Sequence, residues 1–135
     1  MSRVFLDTNI VLDTLTQERK NHLKAKELLT HLLLTDYEVM ISEDMMSTIY
    51  YIAKNKSATL TFFQTIQEEW MIVPYGKENI DKALAFALDN SADLEDTLQC
   101  FCARAYDCEC VITSDKKFVN CGIDIVDYEK FLKQK

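Results

Sequence analysis

The chain has 135 residues, 48% hydrophobic and 27% charged, the make-up of one packed domain rather than a disordered chain. Glycine occurs twice and proline once, too few for a Walker phosphate loop, a dinucleotide fingerprint or the tight turns of a many-stranded antiparallel protein. Fifteen basic residues face 22 acidic ones, a net charge of -7 and the wrong sign for gripping nucleic acid by bulk electrostatics. This does not exclude nucleic acid, because clustered carboxylates can seat divalent cations that invert the local field.

Arg3 to Leu6 is a short apolar run ending at Asp7, read as a buried strand. Leu23 to Leu34 carries leucines at helical spacing with Lys24, Lys26 and Glu27 on the other side. Glu38 to Ser42 holds Val-Met-Ile and predicts a second strand, and Asp44 to Lys54 and Ser57 to Trp70 predict helices. Met71 to Pro74 is a third strand, stopped by Pro74 and Gly76. Lys77 to Asp89 and Asp93 to Tyr106 are two further helices. Cys110 to Thr113 and Ile123 to Val126 supply the fourth and fifth strands, and Tyr128 to Leu132 a last short helix. Short apolar strands separated by helices predict a three-layer α/β/α sandwich around a mainly parallel sheet of about five strands. With no linker or repeat, residues 1–135 read as one domain. No apolar run approaches the roughly 18 residues of a membrane span, and the start lacks a signal-peptide core, which predicts a cytoplasmic protein.

Five cysteines fall in the last third: Cys100, Cys102, Cys108, Cys110 and Cys121. Their C-x-C spacing is tighter than that of structural zinc sites, so they are read as reduced thiols serving as small buried hydrophobes. His22 and His31 lie along a polar helix without catalytic geometry and are read as surface residues.

In open parallel sheets, ligands bind beyond the carboxyl ends of the strands. Asp7, Thr8 and Asn9 follow the first strand there, Ser42, Glu43 and Asp44 the second, and Thr113, Ser114 and Asp115 the fourth. Right-handed crossovers bring the first turn of the helix that starts at Asp93 to the same rim. Asp93 and Asp96 share one helical face, whereas Glu95 is expected to point elsewhere. Asp7, Asp93, Asp96 and Asp115 therefore converge from three segments. Gathered carboxylates repel unless a cation sits among them, and an oxygen-only ligand set suits Mg²⁺ or Mn²⁺. Such an ion equips a site for phosphodiester cleavage. Each acid also has a plainer role: Asp93 and Asp96 as helix-cap and first-turn acids, Glu43 and Asp44 as a helix-opening pair, and Asp115 as a turn residue. Lys116 and Lys117 are read as surface lysines placed to meet a phosphate.

These segments resemble a known family. Val4-Phe5-Leu6-Asp7-Thr8-Asn9-Ile10-Val11-Leu12-Asp13 is similar to the opening of PIN domains. Ile41-Ser42 with Ile49-Tyr50-Tyr51-Ile52 resembles the second segment of one bacterial branch, and Asp93-Leu94-Glu95-Asp96-Thr97-Leu98-Gln99 and Val111-Ile112-Thr113-Ser114-Asp115-Lys116-Lys117-Phe118 resemble the third and fourth. The resemblance, to the VapC-like toxin ribonucleases, spans essentially the whole chain. It implies a metal-dependent endoribonuclease acting on RNA, paired with a VapB-like antitoxin and commonly a homodimer. It implies Asp7, Asp96 and Asp115 as catalytic and metal-binding, Asp93 as an added acid, and Thr8, Asn9 and Thr113 as supports. Many relatives carry a glutamate on the helix after the second strand where this chain has Thr48, and Glu43 is the nearest substitute. A degenerate module that binds RNA or a protein without cleaving is therefore the competing reading. A phosphotransfer fold fits poorly: Asn9 stands where a haloacid dehalogenase needs a second aspartate, and Pro74-Tyr75-Gly76 follows the strand where a receiver needs its phosphoacceptor.

Overall fold

A computed structural model describes residues 2–133. Five strands, β1 (Arg3–Leu6), β2 (Glu38–Ser42), β3 (Met71–Val73), β4 (Cys110–Ile112) and β5 (Asp124–Val126), form one sheet in the order β3-β2-β1-β4-β5. Every pairing is parallel: Phe5 lies opposite Met40 on one side and Val111 on the other. Parallel strands need crossovers: helices α1 (Thr8–Leu15) and α2 (His22–Leu34) join β1 to β2, α3 (Asp44–Ile52) and α4 (Lys56–Glu69) join β2 to β3, and α5 (Lys77–Asn90) and α6 (Leu94–Ala105) join β3 to β4. β4 runs to β5 without a helix, and α7 (Tyr128–Lys133) follows β5. β1 is central and buried on both faces, which is why Val4, Phe5 and Leu6 are an unbroken apolar run rather than an alternating one. Among the described residues no helix is long and apolar enough to cross a membrane.

The chain builds outward from β1 to β2 and β3, then returns to add β4 on the other flank of β1. That reversal makes the carboxyl ends of β1 and β4 the topological switch point, where adjacent connections part and leave a crevice. The last residues of both strands, and those just after them, are placed at that crevice by topology alone.

The predicted elements lie within three residues of their observed ends, except that α1 had no counterpart in the sequence reading. Five of its eight residues, Thr8, Ile10, Val11, Leu12 and Asp13, are buried and only Asn9 is exposed, so its solvated face is too narrow to betray a helical period. Its β-branched residues also favour strand on propensity alone. Asp7 is its N-cap, accepting from the Thr8 backbone N–H at 2.8 Å.

The reading of all five cysteines as free thiols is corrected. Cys100 on α6 and Cys121 in the β4–β5 connection form a disulfide, Cα to Cα 6.1 Å, because the fold lays that connection against α6. Cys102, Cys108 and Cys110 form no disulfide among the described residues and are buried as expected, and burial pushes the Cys102 and Cys108 thiols up to about 12. The histidines are half-buried rather than superficial: His22 Nδ1 lies 2.8 Å from the Asp13 carbonyl oxygen, and the His31 ring packs edge-on against Phe131.

Asp13 is a buried carboxylate that helps lock the C-terminal helix to α1. Its Oδ2 accepts from the Tyr128 hydroxyl at 2.7 Å and its Oδ1 from Arg19 Nε at 2.7 Å. Tyr128→Phe deletes one donor and leaves a buried carboxylate oxygen unsatisfied, so we expect a loss of about 1–3 kcal/mol. Urea unfolding should show a lower midpoint with an unchanged m-value; an unchanged midpoint would mean that Asp13 does not need this partner.

Candidate functional site

At the crevice, Asp7 ends β1 with its side chain turned inward, only 5% exposed. Three groups position it. The Thr113 hydroxyl donates to Asp7 Oδ2 at 2.8 Å, the Thr8 backbone N–H holds Oδ1, and Gln99 Nε2 donates to the Thr8 hydroxyl at 3.2 Å. The same Thr113 hydroxyl accepts from the Asp115 backbone N–H at 3.0 Å, so one side chain ties the acid after β1 to the acid after β4. Asp115 is exposed, and its Oδ1 accepts from the Lys117 N–H at 2.9 Å. Asp93 caps α6, its Oδ2 accepting from the Asp96 N–H at 3.0 Å.

These residues line one cleft of about 450 Å³: Asp7, Asp93, Asp96 and Asp115 with Thr8 and Asn9, closed on its apolar side by Leu12 and Ile52. Thr48 also faces it, as does Lys117. Glu43 does not line this cleft; it is exposed, with its N–H bonded to the Val73 carbonyl. Lys116 lines a neighbouring cavity instead.

The expectation that Glu95 points elsewhere is overturned, because it too lines the cleft. Helical Cα–Cβ bonds tilt toward the N-terminus, and here the N-terminus of α6 aims at the crevice. Side chains of the first turn therefore reach the rim even when spacing puts them on different faces. A run of acids at the start of a helix entering a switch point was the available signal. Lys117 could not have been separated from Lys116 by sequence, since the turn after Asp115 decides which of two adjacent lysines faces inward.

The electrostatics are those of negative charges crowded together. Burial, and then Asp93, Asp7, Asp115 and Glu95 in turn, push the Asp96 carboxyl up to about 7. Burial raises Asp7, with the Thr113 hydroxyl and the Thr8 N–H working against it. Burial followed by Asp7 and Asp44 raises Glu95. Among the described residues no three His, Cys, Asp or Glu side chains are already gathered as ligands of one ion. The donor set nonetheless fits a hard divalent cation: it offers carboxylate, hydroxyl and amide oxygens with no His or Cys, and it holds a carboxyl whose raised pKa an added positive charge would relieve.

A five-stranded parallel α/β sheet with an acid-lined crevice at its switch point has the PIN-like architecture. The PIN domain family model matches residues 4–123, and the chain belongs to that family. It is 29% identical over 136 residues, covering 98% of this chain and 94% of the relative, to Ribonuclease VapC1 of Aquifex aeolicus strain VF5. Two solved structures share the fold at low identity. VapBC2 from Rickettsia felis, bound to a DNA fragment from its promoter, superposes with a TM-score of 0.72 at 14% identity, over 93% of this chain and 98% of that one. VapC20 of Mycobacterium tuberculosis, a Sarcin-Ricin loop cleaving toxin, gives 0.72 at 13% identity, over 89% and 95%. PIN-domain ribonucleases as a class use divalent metal ions.

Proposed function

We propose that this protein is a divalent-metal-dependent endoribonuclease that hydrolyses RNA phosphodiester bonds, the toxin of a type II toxin–antitoxin pair. The observation that carries this reading is the convergence of Asp7, Asp96 and Asp115 from three segments on one cleft, in a chain similar along almost its whole length to a ribonuclease. Asp7, Asp96 and Asp115 hold Mg²⁺ or Mn²⁺ in this reading, with Asp93 as a further acid of the same helix turn. When bound, the ion supplies an activated water and stabilises charge on the leaving oxygen.

The chain's own residues do the rest. Thr113 and Thr8 fix both oxygens of Asp7 so that the carboxylate does not swing when substrate charge enters. Asp96 holds a proton near neutrality and releases it as positive charge arrives. Lys117 is a cationic residue on the cleft wall, suited to a phosphate's negative charge, and Leu12 and Ile52 restrict water on the apolar side. A VapB-like antitoxin with a cationic segment, an arginine for example, would complement the acidic cleft. We further assign the whole chain to one nuclease domain, acting in the cytoplasm as a homodimer.

Thr48 in the cleft wall favours the second reading, a PIN module that binds without cutting. Glu95 brings a carboxylate into the same cleft and weighs against it. Incubating a mixed RNA pool with pure protein and Mn²⁺, Mg²⁺ or EDTA separates the two. Cutting with either ion, abolished by EDTA and leaving 5′-phosphate and 3′-hydroxyl ends, is the expected result. Absence of cutting under both ions, with no metal binding by calorimetry, would assign the chain to the non-cleaving class.

A further inference from the structure

Beside the acidic cleft lies a second cavity of about 370 Å³, whose wall includes Lys20, Asn21, Lys24, Ser114 and Lys116. The two cavities share Asp115. Three lysines stand around this hollow against three acids, Asp115, Asp127 and Glu129, so its wall is balanced in charge in a chain of net charge -7. Not all of that charge is free. Lys24 Nζ sits 3.2 Å from Glu129 Oε1, whereas Lys20 and Lys116 have no ion-pair partner among the described residues. Of the acids on this wall, Glu129 is the one paired with Lys24, Asp115 belongs to the acidic cleft as well, and Asp127 accepts from the Lys130 backbone N–H and keeps its charge.

Arg19, next to Lys20 in the α1–α2 connection, is anchored rather than free. Its Nε is spent on Asp13, a side chain 4% exposed, while the Arg19 side chain itself stays 35% exposed. Its Nη2 reaches Asn9 Oδ1 at 3.4 Å, and Asn9 is on the wall of the acidic cleft. A guanidinium pinned by a buried carboxylate keeps its outer N–H groups in a fixed fork, an arrangement suited to phosphate oxygens. Arg19, Lys20 and Lys116 thus present cationic groups beside the Asp115 side of the cleft.

We propose that Arg19, Lys20 and Lys116 form a phosphate track that holds the single-stranded RNA backbone on the Asp115 side of the bond to be cut. The inference rests on the nuclease reading and extends it. Acids at the reacting phosphate and fixed cations at its neighbours let an acidic protein bind a polyanion in one direction. Arg19 positions the strand through its fork; Lys20 and Lys116 attract it as point charges.

The test uses fluorescently labelled single-stranded RNA and the full chain. In an Asp96→Asn background that keeps RNA intact, Lys20→Ala with Lys116→Ala should lower the slope of log affinity against log salt by about 1.4, roughly 0.7 for each lost phosphate contact. In the active chain the same pair should raise KM several-fold and leave kcat unchanged. Arg19→Lys, which keeps the charge and loses the fork, should weaken binding with the salt slope unchanged; a thermal melt checks that the Asp13 contact still holds the fold. An unchanged slope and KM in a chain that still cleaves RNA would overturn the track and leave the nuclease standing. Loss of antitoxin binding with RNA binding intact would also overturn it and assign the groove to the protein partner. A parent chain that neither binds nor cuts RNA would overturn both readings together.

Discussion

Asp96→Asn should abolish metal-dependent RNA cleavage while making the metal-free protein more stable near neutral pH. The two effects have one cause. Asp96 is a carboxyl that burial and four neighbouring acids push up to about 7, so its charged form is disfavoured in the folded chain unless a cation is present. An amide of nearly the same shape removes that repulsion and, in the proposed metal site, removes an ion ligand with it. Groups that merely orient a ligand typically cost about 10–100-fold in metal affinity or activity when mutated, and a direct ligand should exceed that range. Thr113→Val, which deletes the hydroxyl between Asp7 and the Asp115 backbone N–H, should fall inside it. Cleavage assays beside thermal melts in EDTA read out both quantities. An Asp96→Asn protein that cuts RNA at the parental rate would remove Asp96 from the site; one that is inactive and less stable would reduce the result to misfolding.

The second large effect is on pH. The Asp96 carboxyl titrates near 7 in the folded chain against about 3.9 unfolded. The folded state therefore binds this proton more tightly than the unfolded state does. The resulting stability is fully present below about pH 4 and is lost as pH rises through about 7. Metal-free protein should melt at a lower temperature at pH 8 than at pH 5.5, more so than Asp96→Asn does. Metal binding carries the opposite dependence, because the ion must displace the proton. Below pH 7 the apparent affinity for Mn²⁺ should fall by about tenfold per pH unit, levelling off above it. Calorimetry in two buffers of different ionisation enthalpy should find close to one proton released per ion at pH 6. An affinity flat from pH 5.5 to 8 would place the ion away from Asp96.

Much of this was legible in the order of residues. Short apolar runs ending in polar residues marked the strands, and leucines at helical spacing marked α2. Parallel connections then dictated which strand ends share a rim, so Asp7, Asp93, Asp96 and Asp115 could be brought together before any coordinates. The acids were readable because a carboxylate just past a buried strand has no packing reason to be there.

Other features depended on three-dimensional arrangement. α1 was hidden because a short helix with five of its eight residues buried leaves too narrow a polar face to read. The Cys100–Cys121 bond joins residues 21 apart, and sequence spacing cannot say whether two chain segments lie side by side. Glu95 and Lys117 face the cleft because a helix entry and a tight turn aim individual side chains, a matter of backbone direction rather than residue type. The same holds for Asp13, whose role becomes visible only when Tyr128 arrives from 115 residues away. Strand order and the kind of chemistry at the rim follow from local pattern and chirality, which the sequence carries in every short window. Which neighbour each polar group finds, and how far its pKa moves, depends on packing between distant segments, and only the folded chain brings those together.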